Sequence, residues 1–220
     1  LGTIGGHGQE WIILSHYVLV IGIIFLIARA ATRKLQLVPT GAQNVMETFV
    51  GGIITMGADT MGEKNARVYM PLIASLAIVI FVSNMIGVIP GFEAPTSNIN
   101  FTLSLALIVF VYYNYVGIQK NGFVNYFKHF MGPMPILAPL MFPIEIISHI
   151  SRIISLSFRL FGSIRGDDMF LMVLLMLVPW LLPLPGFFLL TAFGFLQAFI
   201  FSILTYVYIA GSVMMEHEEH

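Results

Sequence analysis

Long apolar runs separated by short polar segments make up most of the chain. A helix crosses the hydrocarbon core of a bilayer, about 30 Å thick, with about 20 mostly apolar residues. Runs suited to such a crossing occupy residues 12–31, 69–89, 101–119, 140–180 and 186–214. The pattern therefore predicts an all-α integral membrane protein, with five transmembrane helices in a single membrane domain over residues 1–220.

A sixth segment, residues 44–62, follows a different pattern. Polar side chains such as Glu47 and Asp59 alternate with apolar ones, and four glycines interrupt the run. Such a segment is typical of an amphipathic helix in the membrane interface, with its apolar side toward lipid. Residues 121–130, where aromatic side chains stand beside Lys128 and His129, fit the same location. An ordinary loop is the alternative for both segments.

The composition excludes several classes of function. Hydrophobic residues form 58% of the chain and charged residues 10%, with a mean hydropathy of +0.91. Soluble domains carry about 25% charged residues, so most of this surface must face the lipid bilayer. The balance of 10 basic and 11 acidic residues gives no basic field for nucleic acid. The chain has no cysteine and no Walker-type glycine loop, and we predict neither a cofactor nor a metal site.

Basic residues between the runs and at their ends predict the orientation. They cluster between the first and second runs and recur after the third: Arg29, Arg33, Lys34, Lys64, Arg67, Lys120 and Lys128. Loops rich in lysine and arginine face the cytoplasm. The amino terminus is therefore expected outside and the acidic tail at 216–220 inside, which agrees with five crossings.

The fourth run is too long for an upright crossing. Residues 144–178 contain no proline, and as a helix they would extend about 52 Å, against about 30 Å of hydrocarbon. The helix must tilt steeply, begin in the interface, or bend. Gly162 and Gly166 are the candidate bend points.

A polar stripe runs along this long helix. At about 100° per residue, its members fall within about 80° of one another: Glu145, His149, Arg152, Arg159 and Ser163, with Ser148 and Ser155 at the edge. Charged groups inside a membrane are costly and usually mark ion pathways. The alternative is local ion pairing, of Arg152 with Glu145 and of Arg165 with Asp167 or Asp168.

Two intramembrane polar groups need partners from elsewhere in the structure. No acid lies one helical turn from Arg159 on its own helix, so its partner must come from another element. Gln197 is isolated in the apolar run 193–201. An unpaired amide in lipid is unfavourable, so Gln197 is expected to hydrogen-bond within the bundle or line a wet cavity.

Four blocks of sequence resemble subunit a of the F-type ATP synthases. The first, Ser-Leu-Ser-Phe-Arg-Leu-Phe-Gly-Ser at 155–163, resembles the signature around the essential arginine of that family. Leu-Gln-Ala-Phe-Ile-Phe at 196–201, with Leu-Thr-Tyr-Val-Tyr at 204–208, resembles its last helix. The other blocks are Ser-Asn-Met-Ile-Gly-Val-Ile-Pro-Gly at 83–91 and Pro-Thr-Ser-Asn-Ile-Asn-Phe-Thr-Leu-Ser-Leu at 95–105. All four occur in the order of the family.

The resemblance implies a fold and a mechanism. Five crossing helices and one helix on the inner surface would be expected, the last two crossings forming a tilted hairpin against a rotating ring of c subunits. Arg159 would face the rotor carboxylate, between two offset half-channels for protons. Other implied partners are b-type peripheral stalk subunits and the remainder of the ATP synthase complex. The chain would have no catalytic site of its own.

The resemblance also implies roles for individual residues. The inner half-channel positions match Glu145, Ser148, Arg152 and Ser155, and the outer acid matches Asp168. Gln197 matches the glutamine that supports the arginine, and Asn100 a polar lining position. Helical phase alone favours Asp167 over Asp168, and His149 either titrates with Glu145 or makes a structural hydrogen bond. The chain departs from the family pattern at Ser163, Leu190 and Asn98, which puts the relay of the outer half-channel in doubt.

Other functions compete with this interpretation. A separate ion channel or transporter would also keep intramembrane charges, although no internal repeat is evident. An intramembrane metalloenzyme would use Glu145 and His149, and an assembly scaffold would not need Arg159. The sequence leaves H⁺ and Na⁺ open as the coupling ion. The tail Glu-Glu-His at 218–220 resembles bacterial members and favours the bacterial inner membrane.

Overall fold

The chain folds into helices throughout the part that the structure describes. The computed structural model describes residues 5–33, 41–89, 92–122, 126, 138–177 and 183–213. Six α-helices occupy these ranges: α1 (Gly5–Thr32), α2 (Ala42–Met61), α3 (Glu63–Val88), α4 (Ile99–Asn121), α5 (Ala138–Leu177) and α6 (Pro183–Val213). A short 3₁₀ helix, Pro95–Ser97, precedes α4. The prediction of an all-α protein is thus confirmed. The acidic tail and most of segment 121–130 lie outside the described residues.

Four described helices are long and apolar enough to cross a membrane. They are α3, α4, and the stretches Leu14–Thr32 of α1 and Leu184–Val213 of α6, which indicates a multi-pass membrane protein. Helix α5 is 40 residues long, but its charged and polar stripe lowers its hydropathy, and it is not among them. A fifth crossing by α5 and an interfacial location for α2 stay predictions.

The central helix of the bundle is α3. It packs against α1, α2 and α6, while α4 packs against both α5 and α6. The core contains Ile73, Ile80, Val109 and Ile209, each almost inaccessible to solvent. Burial of such side chains within the bundle gives each helix one inward face, and the remaining apolar residues face outward.

Helix α2 buries more of its apolar side than the sequence predicts. Ile53 and Met61 belong to the hydrophobic core, whereas Val45 near the start of the helix is 70% exposed. Gly62 follows with φ of 81°, a conformation that glycine adopts at little cost. This turn folds α2 back against α3, so part of the face expected toward lipid is instead covered by protein.

Gly57 on α2 packs closely against α6 and α3. A Cβ atom at this position would lie 2.5 Å from Cζ of Tyr206 and 2.8 Å from Cβ of Ala66. The Tyr206 hydroxyl donates to the carbonyl oxygen of Ala66 at 3.5 Å. Three helices therefore meet where only a glycine fits.

Gly57→Ala is expected to destabilise this junction. The added methyl group must push aside a fully buried ring, and overpacking of this kind costs about 1–3 kcal/mol. Thermal unfolding of the detergent-solubilised protein measures the effect. Gly52→Ala is the matched control on the same helix, because a Cβ there meets nothing within 4 Å. Equal unfolding temperatures for the two variants would contradict the close packing.

Candidate functional site

Arg159 lies on the outward face of α5. The opposite face of the helix carries Leu156, Leu160 and Ile164, all buried against the bundle. Arg159 is exposed, and Phe158 beside it is 55% exposed. The guanidinium group is thus presented on an otherwise apolar surface.

The surroundings of Arg159 agree with a partner outside the chain. Among the described residues, no carboxylate lies within ion-pair distance of its guanidinium. The backbone carbonyl oxygen of Arg159 accepts a 2.8 Å hydrogen bond from the Ser163 hydroxyl. A cation on an apolar, lipid-facing surface is costly, and an anionic group brought against this face would stabilise it.

A buried histidine joins α4 and α5. The Tyr113 hydroxyl lies 2.7 Å from Nδ1 of His149, and the two rings stack with centroids 5.7 Å apart. On the other side of the imidazole, Nε2 lies 3.4 Å from Oε1 of Glu145. The tautomer of the imidazole decides the direction of the bond to Tyr113: where the hydroxyl donates to Nδ1, the ring proton is on Nε2, on the side of Glu145.

Arg152 is paired with an aromatic ring. Its Cζ atom lies 5.6 Å from the centroid of the Tyr208 ring on α6, a separation typical of cation–π interactions. The Tyr208 ring is in turn 6.2 Å from that of Tyr113. Among the described residues, Arg152 and Glu145 are not in ion-pair contact, so the local pairing considered for them is not found. Tyr113, Glu145, His149, Arg152 and Tyr208 are called the Tyr113 cluster below.

The remaining predicted positions differ in exposure. Ser148 is half-buried and Ser155 is exposed on the side of Arg159. Gln197 is buried on α6, which packs against α5. Asn100 is exposed at the start of α4, and its backbone N–H donates to Oδ1 of Asn98 at 2.9 Å. Asn98 therefore serves as the N-cap of α4.

The two acids near the far end of α5 have different neighbours. Both Asp167 and Asp168 are half-buried. Asp168 lies close enough to Arg165 and Glu93 to interact electrostatically with both, whereas the neighbour that acts on Asp167 is Asp168 itself. Helix α5 continues unbroken through Gly162 and Gly166.

A cleft of about 310 Å³ opens at Arg165, on the same part of α5. Its walls come from α1, the segment before α4, and α5, and they include His16, Tyr17, Glu93, Asn98, Phe161 and Arg165. We call it the Glu93 cleft. It combines a basic and an acidic side chain with amide and imidazole groups, so it is chemically suited to hold water.

Buried hydrogen bonds join the segment before α4 and the helices to one another. Nδ2 of Asn84 on α3 donates to the carbonyl oxygen of Gly194 on α6 at 3.2 Å, and its Oδ1 accepts from the Thr96 hydroxyl at 2.7 Å. The hydroxyls of Thr102 and Ser157 lie 3.2 Å apart and join α4 to α5. All of these residues except Gly194 fall in the blocks quoted above, which gives three of those blocks a structural role in holding the bundle together.

Several residues of these sites were not identified from sequence. Tyr113 and Tyr208 lie at the ends of apolar runs, where tyrosine usually marks the membrane interface. Glu93 lies in the short connection between two of the quoted blocks and belongs to neither. Tyr126, expected at the interface, is buried and donates to Oδ1 of Asn114 at 2.7 Å. The polarity of the connection at 92–98 was the available signal for Glu93.

Comparisons with known proteins identify close relatives along the full chain. A sequence model of the ATP synthase A chain family matches residues 12–210. The chain is 92% identical over 220 residues to "ATP synthase subunit a" of Aliarcobacter butzleri, covering all of this chain and 96% of the relative. It is 60% identical over 211 residues to the protein of that name from a Nitratiruptor species, covering 96% and 93% of the two chains. With the protein of that name from one Campylobacter jejuni strain the identity is 62% over 202 residues, covering 91% and 89%.

Proposed function

The chain belongs to the ATP synthase A chain family, and we propose that it is the proton-translocating stator of a rotary motor. The match over residues 12–210 and the 92% identical relative confirm the resemblance to subunit a of F-type ATP synthases. Membership makes the chain a membrane-sector subunit of an ATP synthase complex. The proposal adds the mechanism, in which two offset half-channels deliver protons to and from a rotating ring of c subunits.

The observation that carries this mechanism is Arg159 on the exposed apolar face of α5. A guanidinium stays charged at any relevant pH and is weakly hydrated. It can therefore attract a deprotonated carboxylate on the ring without giving up a proton. Its fixed positive charge also opposes direct passage of protons between the half-channels, so ions must travel on the rotor. Each charge that crosses releases about 2.3 kcal/mol per 100 mV.

The Tyr113 cluster supports an inner half-channel. Glu145 and Nε2 of His149 are 3.4 Å apart, so a proton can be shared between a carboxylate and an imidazole. Arg152 is fixed over Tyr208 and adds positive potential beside them. We assign the inner route to Glu145, Ser148, His149, Arg152 and Ser155.

Asp168 and Gln197 complete the proposed site. Asp168, next to the Glu93 cleft, is the outer acid, and Asp167 is its neighbour rather than the relay. Gln197, buried on α6, supports Arg159, and Asn100 lines the outer route. Partners are the c ring, b-type peripheral stalk subunits and the remaining complex. The location is the bacterial inner membrane, with the amino terminus outside and the carboxyl terminus in the cytoplasm.

Photo-crosslinking tests the predicted rotor contact. A benzophenone amino acid at Phe158, which is 55% exposed beside Arg159, is expected to form an adduct with the c subunit in the assembled complex. Ile108 on α4 is 47% exposed and serves as the matched control, because it lies on another helix. Adducts at both positions, or at neither, would contradict a rotor contact specific to the Arg159 face.

Tyr113→Phe is expected to slow proton transport. The change removes the hydroxyl 2.7 Å from His149 Nδ1, and a lost net hydrogen bond of about 0.5–1.5 kcal/mol corresponds to about a twofold to tenfold change in rate. ATP-driven acidification of inverted vesicles, measured across cytoplasmic pH, reports the effect. Tyr112→Phe, at the adjacent position on α4, should keep the native pH profile. An unchanged profile in Tyr113→Phe would remove His149 from the route.

A further inference from the structure

The Glu93 cleft is formed by parts of the chain that are far apart in sequence. Helix α1 contributes His16 and Tyr17, the connection before α4 contributes Glu93 and Asn98, and α5 contributes Arg165. With about 310 Å³ of space, the cleft can hold several waters, since one water occupies about 30 Å³ in the liquid.

Aromatic contacts hold α1 against the other walls. The ring of His16 lies edge-on to that of Phe92, with centroids 5.4 Å apart. Tyr17 stacks on Phe101 at 5.3 Å. Both contacts join α1 to residues that flank the connection carrying Glu93, so the cleft has defined walls.

The charged groups at the cleft come from two of its walls. Glu93 on the connection and Arg165 on α5 line it, and the third wall, α1, contributes the imidazole of His16. Asp168 interacts electrostatically with both Glu93 and Arg165, so two carboxylates and one guanidinium leave an excess of negative charge here. A cleft with an excess of one charge raises the local concentration of ions of the opposite sign.

Leu190 on α6 is buried and has no titratable group. Glu93 is instead near Asp168 and also lines the cleft. Among the described residues, Glu93 is therefore the acid that both lines the cleft and interacts electrostatically with Asp168.

We propose that the Glu93 cleft is the water-filled vestibule of the outer half-channel, and that Glu93 collects hydrated protons for Asp168. This inference rests on the proposed function and assigns residues to one of its two channels. Arg165 is a positioning residue, which orients the carboxylates electrostatically. Protons pass from bulk water to Glu93, then through water to Asp168, and onward to the rotor carboxylate.

Substitution of Glu93 tests its role as collector. In Glu93→Gln, ATP synthesis driven by an imposed gradient is expected to reach half its maximal rate at a proton concentration on the outer side that is about threefold to tenfold higher. The maximal rate at low outer pH should change much less, and Glu93→Asp should restore the native dependence. Glu63→Gln, on an exposed acid paired with Arg67 at 2.8 Å, is the control and should match the native chain. Varying outer Na⁺ at fixed pH should leave all these curves unchanged.

A thiol-accessibility experiment tests for water in the cleft. The chain has no cysteine, so single cysteines can be introduced without background. Ile99 lines the cleft and is 39% exposed, and Ile108 on the same helix is 47% exposed but lies outside it. Only a thiol in contact with water ionises and reacts. A cationic, membrane-impermeant methanethiosulfonate added outside should modify Ile99→Cys, not Ile108→Cys, and should slow transport relative to the same unmodified variant.

Each outcome decides for or against the vestibule. An unreactive Ile99→Cys, or modification that leaves transport unchanged, would overturn it. If the rate of ATP synthesis in Glu93→Gln depends on the outer proton concentration as in the native chain, Glu93 is not the collector. If the rate follows the outer Na⁺ concentration instead of the proton concentration, proton collection is contradicted. In all of these cases Arg159→Ala would still stop proton transport. A negative result for the vestibule can therefore be told apart from a negative result for the stator mechanism.

Discussion

Replacement of Arg159 by alanine is expected to abolish ATP-driven proton pumping while the complex still assembles. The side chain is exposed on α5, so its removal leaves the core residues Leu156 and Leu160 in place. In the proposed mechanism, the substitution removes the fixed charge that attracts the rotor carboxylate and separates the half-channels. Acidification of inverted vesicles measures pumping, and co-purification of the other subunits measures assembly.

Two further variants make the Arg159 result specific. Arg159→Lys should not restore pumping, because an ammonium is more strongly hydrated than a guanidinium and loses its proton more readily when desolvated. Arg67→Ala should pump at the native rate, since Arg67 is an exposed residue in an ion pair with Glu63. Native pumping by Arg159→Ala would refute the stator mechanism and favour a scaffold role.

Asp168→Asn is expected to lower proton transport by about tenfold or more, the scale on which a removed acid–base group slows proton transfer. Asp168 is the acid that interacts with both Arg165 and Glu93 beside the cleft. Asp167→Asn should stay near the native rate, because Asp167 has Asp168 as its electrostatic neighbour. The adjacent acids serve as controls for each other, and Asp168→Glu should retain most of the activity. ATP synthesis driven by an imposed pH gradient measures all three variants.

A large loss of transport in Asp167→Asn, with little loss in Asp168→Asn, would assign the outer relay to Asp167, as helical phase alone favoured. Equal losses in both variants would indicate that the two carboxylates act as a coupled pair. In that case the assignment of the relay to Asp168 alone would be wrong.

The helices of the bundle could be predicted from the sequence, because apolar runs long enough to cross a membrane are compatible with few structures other than a helix. The polar stripe on α5 was also visible, since Glu145, His149 and Arg159 recur at helical spacing. Which side of that stripe meets protein was not visible. His149 is buried and Arg159 exposed, and this division depends on how α4 packs against α5.

Contacts between distant segments were beyond the sequence. Tyr113 and His149 are separated by 36 positions, and Asn84 and Gly194 by 110. Helical periodicity defines which residues share a face but not which face meets which neighbour. The burial of Ile53 on α2 was missed for the same reason, because an amphipathic pattern does not distinguish lipid from protein as the covering surface.

The anchoring of α6 has a mechanical consequence. A stator beside a turning ring experiences a sideways drag on the helices nearest the rotor. Asn84 on α3 holds α6 at Gly194 through a hydrogen bond. A second contact, of Tyr206 with Gly57 and Ala66, lies about 18 Å further along α6. A helix fixed at one point can tilt about that point, whereas a helix fixed at two points along its length resists tilting. If the chain is the stator proposed above, elastic yielding under load is therefore expected in the rotor and stalk rather than in α6.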